Sequence, residues 1–434
     1  MIIAILLSLS GSADTLRLSL DDAIRQALAE NPSLRAERAD ARSAGGLALA
    51  ATRAFLPSLR AEAQGLRTTD PVGVFGLKLR QGVFAGGDLA LDALNAPGAF
   101  GGFATTLQVE LPLLAPEGLF GYAAARRAGE ARAAGADRAA GATVVGVTQA
   151  YWGVQLAALR LSALDTAWAA ARAHEAQAEA LRAQGVVTGL DARLARLRAA
   201  DVEVRRLAAG AEAENARSRL RALLAVPEDA GLVLTDSLRA DRVGRCGDAN
   251  ACAVADRGDL RALQSGAGAA GLAVKGAWAA QLPQLAVFGT VSHHGHDAPW
   301  GAGSGDWTVG IGMRWAVFPA LSGVAAVRRA SADADGARAR LEAAERQAQV
   351  EAAAARRLLE AARAGAAVAA DAAEEAATAL EQARLRYRTG AAPITELLDV
   401  QAAATHATLT HLSARHDLLL AQALLDFAYG AYDR

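Results

Sequence analysis

Cysteine, lysine, aromatic residues and any excess of charge of one sign are all scarce in this chain of 434 residues. Its two cysteines, Cys246 and Cys252, stand in the polar stretch RCGDANAC. That C-x5-C spacing lacks the paired CxxC units of a zinc site, whereas in an oxidising compartment the pair can close a small loop as a disulfide. Basic and acidic residues balance at 45 to 46, which removes the electrostatic case for a nucleic-acid partner. Lysine occurs only at 78 and 275, the remaining positive charge being arginine, and with abundant alanine this composition suits helices. Beyond the N-terminus there is no run of about 18 uninterrupted apolar residues to cross a membrane as a helix. GxSxG, a Walker-type glycine loop, HExxH and a Cys/His pair in a defined context are all missing, so neither an enzyme nor a cofactor site is expected. His293, His294 and His296 crowd one short stretch but lack an acidic partner set, and no metal site is expected there.

Proline is absent between Pro116 and Pro227, and after Pro319 only Pro393 occurs. Two very long stretches are thus free to be helical. In the first, Val147, Tyr151, Val154, Ala158 and Leu161 recur at alternating steps of four and three, which is coiled-coil spacing. A continuous helix from Leu321 to Arg388 would be on the order of 100 Å long at 1.5 Å per residue. The N-terminal MIIAILLSLSGSA has an apolar run from Ile2 to Leu9 followed by small residues, and residues 1–13 are expected to be a signal peptide cleaved before Asp14.

Other segments have a period of two. In DWTVGIGMRWAVF, Trp307, Val309, Ile311, Met313, Trp315 and Val317 share one side, and Thr308, Gly310, Gly312 and Arg314 the other. Strict alternation of this kind suits a membrane β-strand between lipid and a watery lumen, with Trp307 and Trp315 placed to reach both aromatic girdles. FATTLQVELPL, PSLRAEAQG and PQLAVFGTVS supply three further candidates. The order helix, strand, loop, strand, long helix, break, helix then occurs twice. A first repeat is expected over residues 14–227 and a second over 259–434, with 228–258 as the linker bearing Cys246 and Cys252. Four strands cannot close a membrane barrel, and an open edge is not tolerated in lipid, so other copies of the chain are expected to complete it.

Both breaks have a glycine turn. In QGVVTGLDARLARLRAA the turn residues are Gly185, Thr188 and Gly189, followed by Asp191. In YRTGAAPITELLDVQ they are Gly390, Ala391 and Pro393, preceded by Tyr387 and followed by Glu396 and Asp399. The two acids lie three residues apart and so share one helical face; a solvated pair at a helix start would explain them equally well.

The repeated plan, together with AIRQALAENPSLRAERADARSA, LPSL and LPQL at two strand starts and YRTGAAPITELLDVQAA near the end, resembles the outer membrane efflux protein family, the TolC-like outer membrane factors. The resemblance implies a mainly α protein with a membrane β-barrel part: a duplicated helix–hairpin–helix repeat assembled as a homotrimer, with a twelve-stranded β-barrel in outer-membrane lipid and a long periplasmic α-helical tunnel. It implies a passive exit duct of a tripartite efflux or type I secretion system, joined through a periplasmic adaptor protein to an inner-membrane pump of the RND or ABC type. The glycine turns would be the periplasmic tips where the adaptor docks. Asp191, Tyr387, Glu396 and Asp399 would form the periplasmic pore constriction, the last two as stacked acidic rings. The family's closed state is implied to use a latch between an acid after the first tip and a Tyr and an Arg flanking the second. Asp191 and Tyr387 match, but Ala392 stands where the Arg is expected, with Arg388 and Arg193 as the nearby substitutes. An exported coiled-coil scaffold with a small soluble sheet is the alternative reading of the same pattern.

Overall fold

The computed structural model describes residues 16–238, 246, 252–300 and 302–433. The expected signal peptide, residues 1–13, lies outside the described residues, as does residue 14 at the start of the first repeat. In chain order the elements are β1 (Leu16–Leu18), α1 (Leu20–Glu30), α2 (Pro32–Ala50), β2 (Ser58–Thr68), α3 (Pro71–Arg80), α4 (Leu91–Asn95), β3 (Phe100–Leu114), α5 (Pro116–Ala183), α6 (Gly189–Leu224), β4 (Leu232–Leu234), α7 (Gly258–Ala279), β5 (Gln284–Gly295), β6 (Gly303–Arg314), α8 (Ser322–Arg388) and α9 (Ile394–Ala428), with short 3-10 turns between some of them. The two proline-poor stretches are thus helical except at their glycine breaks, and α5 and α8 reach 68 and 67 residues. They fall into two compact units, Met1–Ala41 with Arg132–Ala262 and Leu341–Arg434, and Arg42–Ala131 with Leu263–Arg340.

The first unit is helical. The heptad stripe of α5 buries Val147, Tyr151 and Val154 against Leu20, Ala23 and Ala27 of α1 and Ala213, Ala216, Leu220 and Leu224 of α6. Alanines let the helix backbones approach closely where a conventional core would need bulk. At the end of this core β1 and β4 pair in parallel, Leu16 opposite Leu232 through Leu18 opposite Leu234. Sequence periodicity gives no sign of this ribbon, because three residues are too few to show a period. Tyr151 ties it to α5: the buried phenol donates to Leu18 O at 3.0 Å and accepts from Asp236 N at 3.2 Å.

A second tie holds the chain end. The buried Asp433 carboxylate accepts from Arg138 Nη1 at 3.2 Å and from Gly258 N at 2.8 Å. The Arg138 guanidinium also lies 3.4 Å from the Phe427 ring centroid. Arg257 bridges Asp259 at 2.7 Å and Glu351 at 2.8 Å. Gly141 is required beside this knot, since a Cβ there would lie 2.4 Å from Asp433 Oδ1. Cys246 and Cys252 form a disulfide, and Cys246 N donates to Asp426 Oδ1 at 2.8 Å.

The second unit contains a four-stranded antiparallel sheet in the order β2-β3-β5-β6. Register places odd-numbered residues of all four strands on one face and even-numbered residues on the other: Ala61 opposes Leu107, Leu107 opposes Val291, and Val291 opposes Trp307. The odd face is apolar yet open to its surroundings, with Leu59, Leu107, Val109, Val291, Trp307, Val309, Ile311 and Met313 all exposed. The even face carries Arg60, Glu62, Gln64, Thr106, Gln108, Glu110, Thr290, Ser292, Asp306 and Thr308, and Gly310 makes room for the Phe288 ring. No described helix is long and apolar enough to cross a membrane.

Two expectations need correction. The alternating run ending at Phe318 does not stay in the sheet: β6 stops at Arg314, whose partner is Gln284. The next residue of β5's chain is Pro283, which has no N–H to extend the ladder. Trp315 therefore lies one residue past the strand, its indole Nε1 donating to Gln281 O at 3.0 Å. The long connection between β2 and β3 is also no plain loop, since it folds α3 and α4, with Asp70 capping α3 through Gly73 N at 2.6 Å.

Replacing Tyr151 with Phe should leave Asp236 N short of its acceptor, while Leu18 O keeps the Thr235 N–H at 3.0 Å, and lower stability by about 1–3 kcal/mol, read as a lower chemical-denaturation midpoint in detergent; an unchanged midpoint would contradict the tie.

Candidate functional site at the two hairpin turns

Both turns belong to the helical unit and are built alike. After α5, Gly185 takes φ +73°, Gly185 N donates to Arg182 O at 3.0 Å and Val186 N to Leu181 O at 2.9 Å. After α8, Gly390 takes φ +74°, Gly390 N donates to Tyr387 O at 3.1 Å and Ala391 N to Arg386 O at 2.8 Å. This is the Schellman arrangement, and its left-handed residue favours glycine because any Cβ is strained there. Helix restart differs between the two. Thr188 and Asp191 form a reciprocal capping box, Thr188 N and Oγ1 donating to Asp191 Oδ2 at 2.9 and 2.7 Å. Pro393 fills the same position before α9 with no side-chain cap.

The hairpins meet through a small apolar cluster in which Ala178, Ala195, Ile394 and Leu398 are buried, and Leu194 and Tyr387 pack against it. The Tyr387 hydroxyl is buried there without a hydrogen-bond partner among the described residues. Burial, and then the nearby Asp191 carboxylate, push its pKa up. Asp191 and Tyr387 are thus neighbours, but the carboxylate is engaged by its own helix cap. Ala392 is 9% exposed, so a small residue fills the place where the resemblance implies an Arg. Arg193 and Arg388 are both exposed.

A different arginine acts at the second turn. Arg386, in the last turn of α8, pairs with Glu396, in the first turn of α9, at 2.7 Å. Asp399, one helical turn further, is exposed. The Arg386–Glu396 pair spans the turn and has no helical spacing, so periodicity could not reveal it. Arg384 and Gln401 repeat the clasp at 3.3 Å, and Arg196 reaches Glu175 across the first hairpin at 3.4 Å.

His174 on α5 has both ring nitrogens buried without a partner among the described residues. Burial, and then the Arg384 guanidinium, lower its pKa below the ordinary 6.5. The unfolded chain therefore binds this proton more readily than the folded one, and stability falls as pH drops below about 6.5. The denaturation midpoint should decline from about pH 7.5 to about pH 5.5, and His174→Gln should flatten that decline; an equal slope in both proteins would show that His174 is not the group responsible.

Comparison with known proteins fixes the lineage of these hairpins and their sheet. The sequence model of the family described as outer membrane efflux protein matches residues 23–226 and 252–431. Among solved structures, the outer-membrane channel OprN is similar over 96% of this chain and 91% of its own, at 22% identity and a TM-score of 0.77. The CmeC outer membrane channel of Campylobacter jejuni is similar over 95% and 85%, at 16% identity and a TM-score of 0.80. The outer membrane protein VceC of Vibrio cholerae is similar over 95% and 96%, at 19% identity and a TM-score of 0.75. No curated protein matches the sequence. The fold is that of these channels, and the chain is an outer-membrane protein that belongs to the outer membrane efflux protein family.

Proposed function

We propose that the chain is the outer-membrane exit duct of a tripartite efflux or type I secretion assembly. It works as a homotrimer, passive in itself, and is coupled through a periplasmic adaptor to an inner-membrane pump of the RND or ABC type. The observation that carries this reading is the sheet: among the described residues its apolar face is left open and its two outer edges are unpaired, in the same chain as two matching helical hairpins. A soluble scaffold would bury that face, so the exported coiled-coil alternative has no support in it. In a threefold barrel the odd face meets lipid and the even face lines a polar lumen. Trp307, 75% exposed on the odd face, suits one aromatic girdle, and Trp315, just past the strand, the other.

The hairpin turns are the periplasmic tips, and Gly185, Thr188, Gly189, Gly390, Ala391 and Pro393 form the surface that an adaptor meets. Asp191 and Tyr387 belong to the constriction, where the packing of Tyr387 among Ala178, Ala195, Ile394 and Leu398 takes over part of the missing latch. Glu396 and Asp399 become two rings, but not equal ones: Arg386 offsets the charge of Glu396, while exposed Asp399 contributes its full charge.

Planar-bilayer selectivity tests this assignment. Asp399→Ala should lower cation preference more than Glu396→Ala, the double variant should lower it furthest, and Arg386→Ala should raise it. All four effects should shrink as salt screens the rings. Selectivity identical to that of the unmodified channel in the double variant would remove these acids from the pore.

A further inference from the structure

The connection between β2 and β3 holds a structured element on the even face of the sheet. Gln64, Ala104, His294 and Ser304 form one row of directly opposed residues across the four strands on that face. The end of α3 meets the sheet near this row at three places. Ser304 Oγ donates to Arg80 O. Gln81, only 6% exposed, donates through Nε2 to Gly101 O at 3.2 Å and lies over Gly102, where a Cβ would come within 1.8 Å of that nitrogen. The Lys78 ammonium stands 5.5 Å from the Phe100 ring centroid.

To touch both β3 and β6 the segment must cross β5, and the residue beneath the crossing shows it: His294, in the same row, is buried at 7% exposure and bonded to Asp306 at 2.9 Å. The segment has its own packing, with Val74 buried, Phe75 edge-on to Phe84 at 5.0 Å and Lys78 paired with Asp88 at 2.5 Å. In the shorter connection, residues 296–300 lean the other way, Thr105 on the odd face donating to Pro299 O at 3.0 Å.

We propose that residues 70–99 fold into the barrel lumen and set the size limit at its outer end, so that the cargo released there is of small-solute size and folded proteins are refused. This rests on the duct reading, in which the even face lines the lumen. Three copies around one axis bring three such segments into one opening. Gly102 is the residue that permits the inward fold, and Arg80 to Gly82 are its anchor.

Two experiments on the full-length protein in intact outer membranes test the proposal. Gly82→Cys with Ser304→Cys places two Cβ atoms 3.9 Å apart, within disulfide range, and mild oxidation should join them; two thiols that stay free and reactive under oxidation would overturn the inward fold. In the second, Gln108→Cys puts a thiol deeper on the even face, and maleimides are added from outside. A small maleimide should label it with the segment intact, while a maleimide on bulky dextran should label it several-fold faster once residues 71–98 are replaced by a short glycine-serine linker. Equal labelling by the bulky reagent with and without the segment would overturn the size limit and leave the duct reading in place. If even the small reagent fails in both proteins, the even face is no lumen, and it is the duct reading that falls.

Discussion

A β-sheet edge in lipid has nowhere to send its backbone hydrogen bonds. Water is absent, and each unsatisfied group costs several kcal/mol. The sheet here ends in β2 on one side and β6 on the other, and among the described residues each is paired along one side only. Its odd face carries a field of exposed Leu, Val, Ile, Met and Trp. Either feature alone would be a liability in a soluble protein, as an aggregation edge or an exposed apolar patch. Together they fit the proposed third of a barrel wall. In the proposed trimer, symmetry would multiply everything else the chain carries: a turn would become a tip of three, an acid a ring, and an inward segment a constriction.

The helical unit answers a different demand, which is to hold long helices with little bulk. Its main cluster sets alanines of α1, α5 and α6 among larger residues such as Tyr151, Trp152, Leu220 and Leu224, and polar ties do much of the fixing: Tyr151 to the β1–β4 ribbon, and Asp433 to Arg138 and Gly258. At the turns the same economy shows. Tyr387 rests in an apolar cluster with its hydroxyl unpaired among the described residues, and the ionic clasp is Arg386 to Glu396, within one hairpin. An exposed pair of this kind contributes little to stability. Its larger effect is on the local field, where one of two neighbouring carboxylates is offset.

Much of this was legible in the residues. Missing prolines outlined α5, α6, α8 and α9, and Gly185 and Gly390 marked the breaks because a left-handed turn residue has few substitutes. Alternation revealed all four strands of the sheet. What escaped was whatever depends on a partner far along the chain. The ribbon of β1 and β4 joins three-residue segments about 216 positions apart, and no period betrays it. Trp315 continued the alternation of β6, but the strand ends where Pro283 deprives it of a donor. Residues 69–99 read as a loop because they join two strands in the repeated plan, yet Asp70 and Pro71 start a helix that folds back on the sheet. Within the candidate site the positions of Asp191, Tyr387, Glu396 and Asp399 followed from spacing and resemblance, whereas the unequal charge of the two acids came only from where Arg386 lies.

The central claim is that the sheet is one third of a closed wall, and particle mass tests it most directly. Light scattering of the protein purified in mild detergent, corrected for bound detergent, should give three chains per particle at every concentration above the assembly threshold. A monodisperse single-chain particle that keeps its β-sheet signal in the absence of detergent would contradict the account.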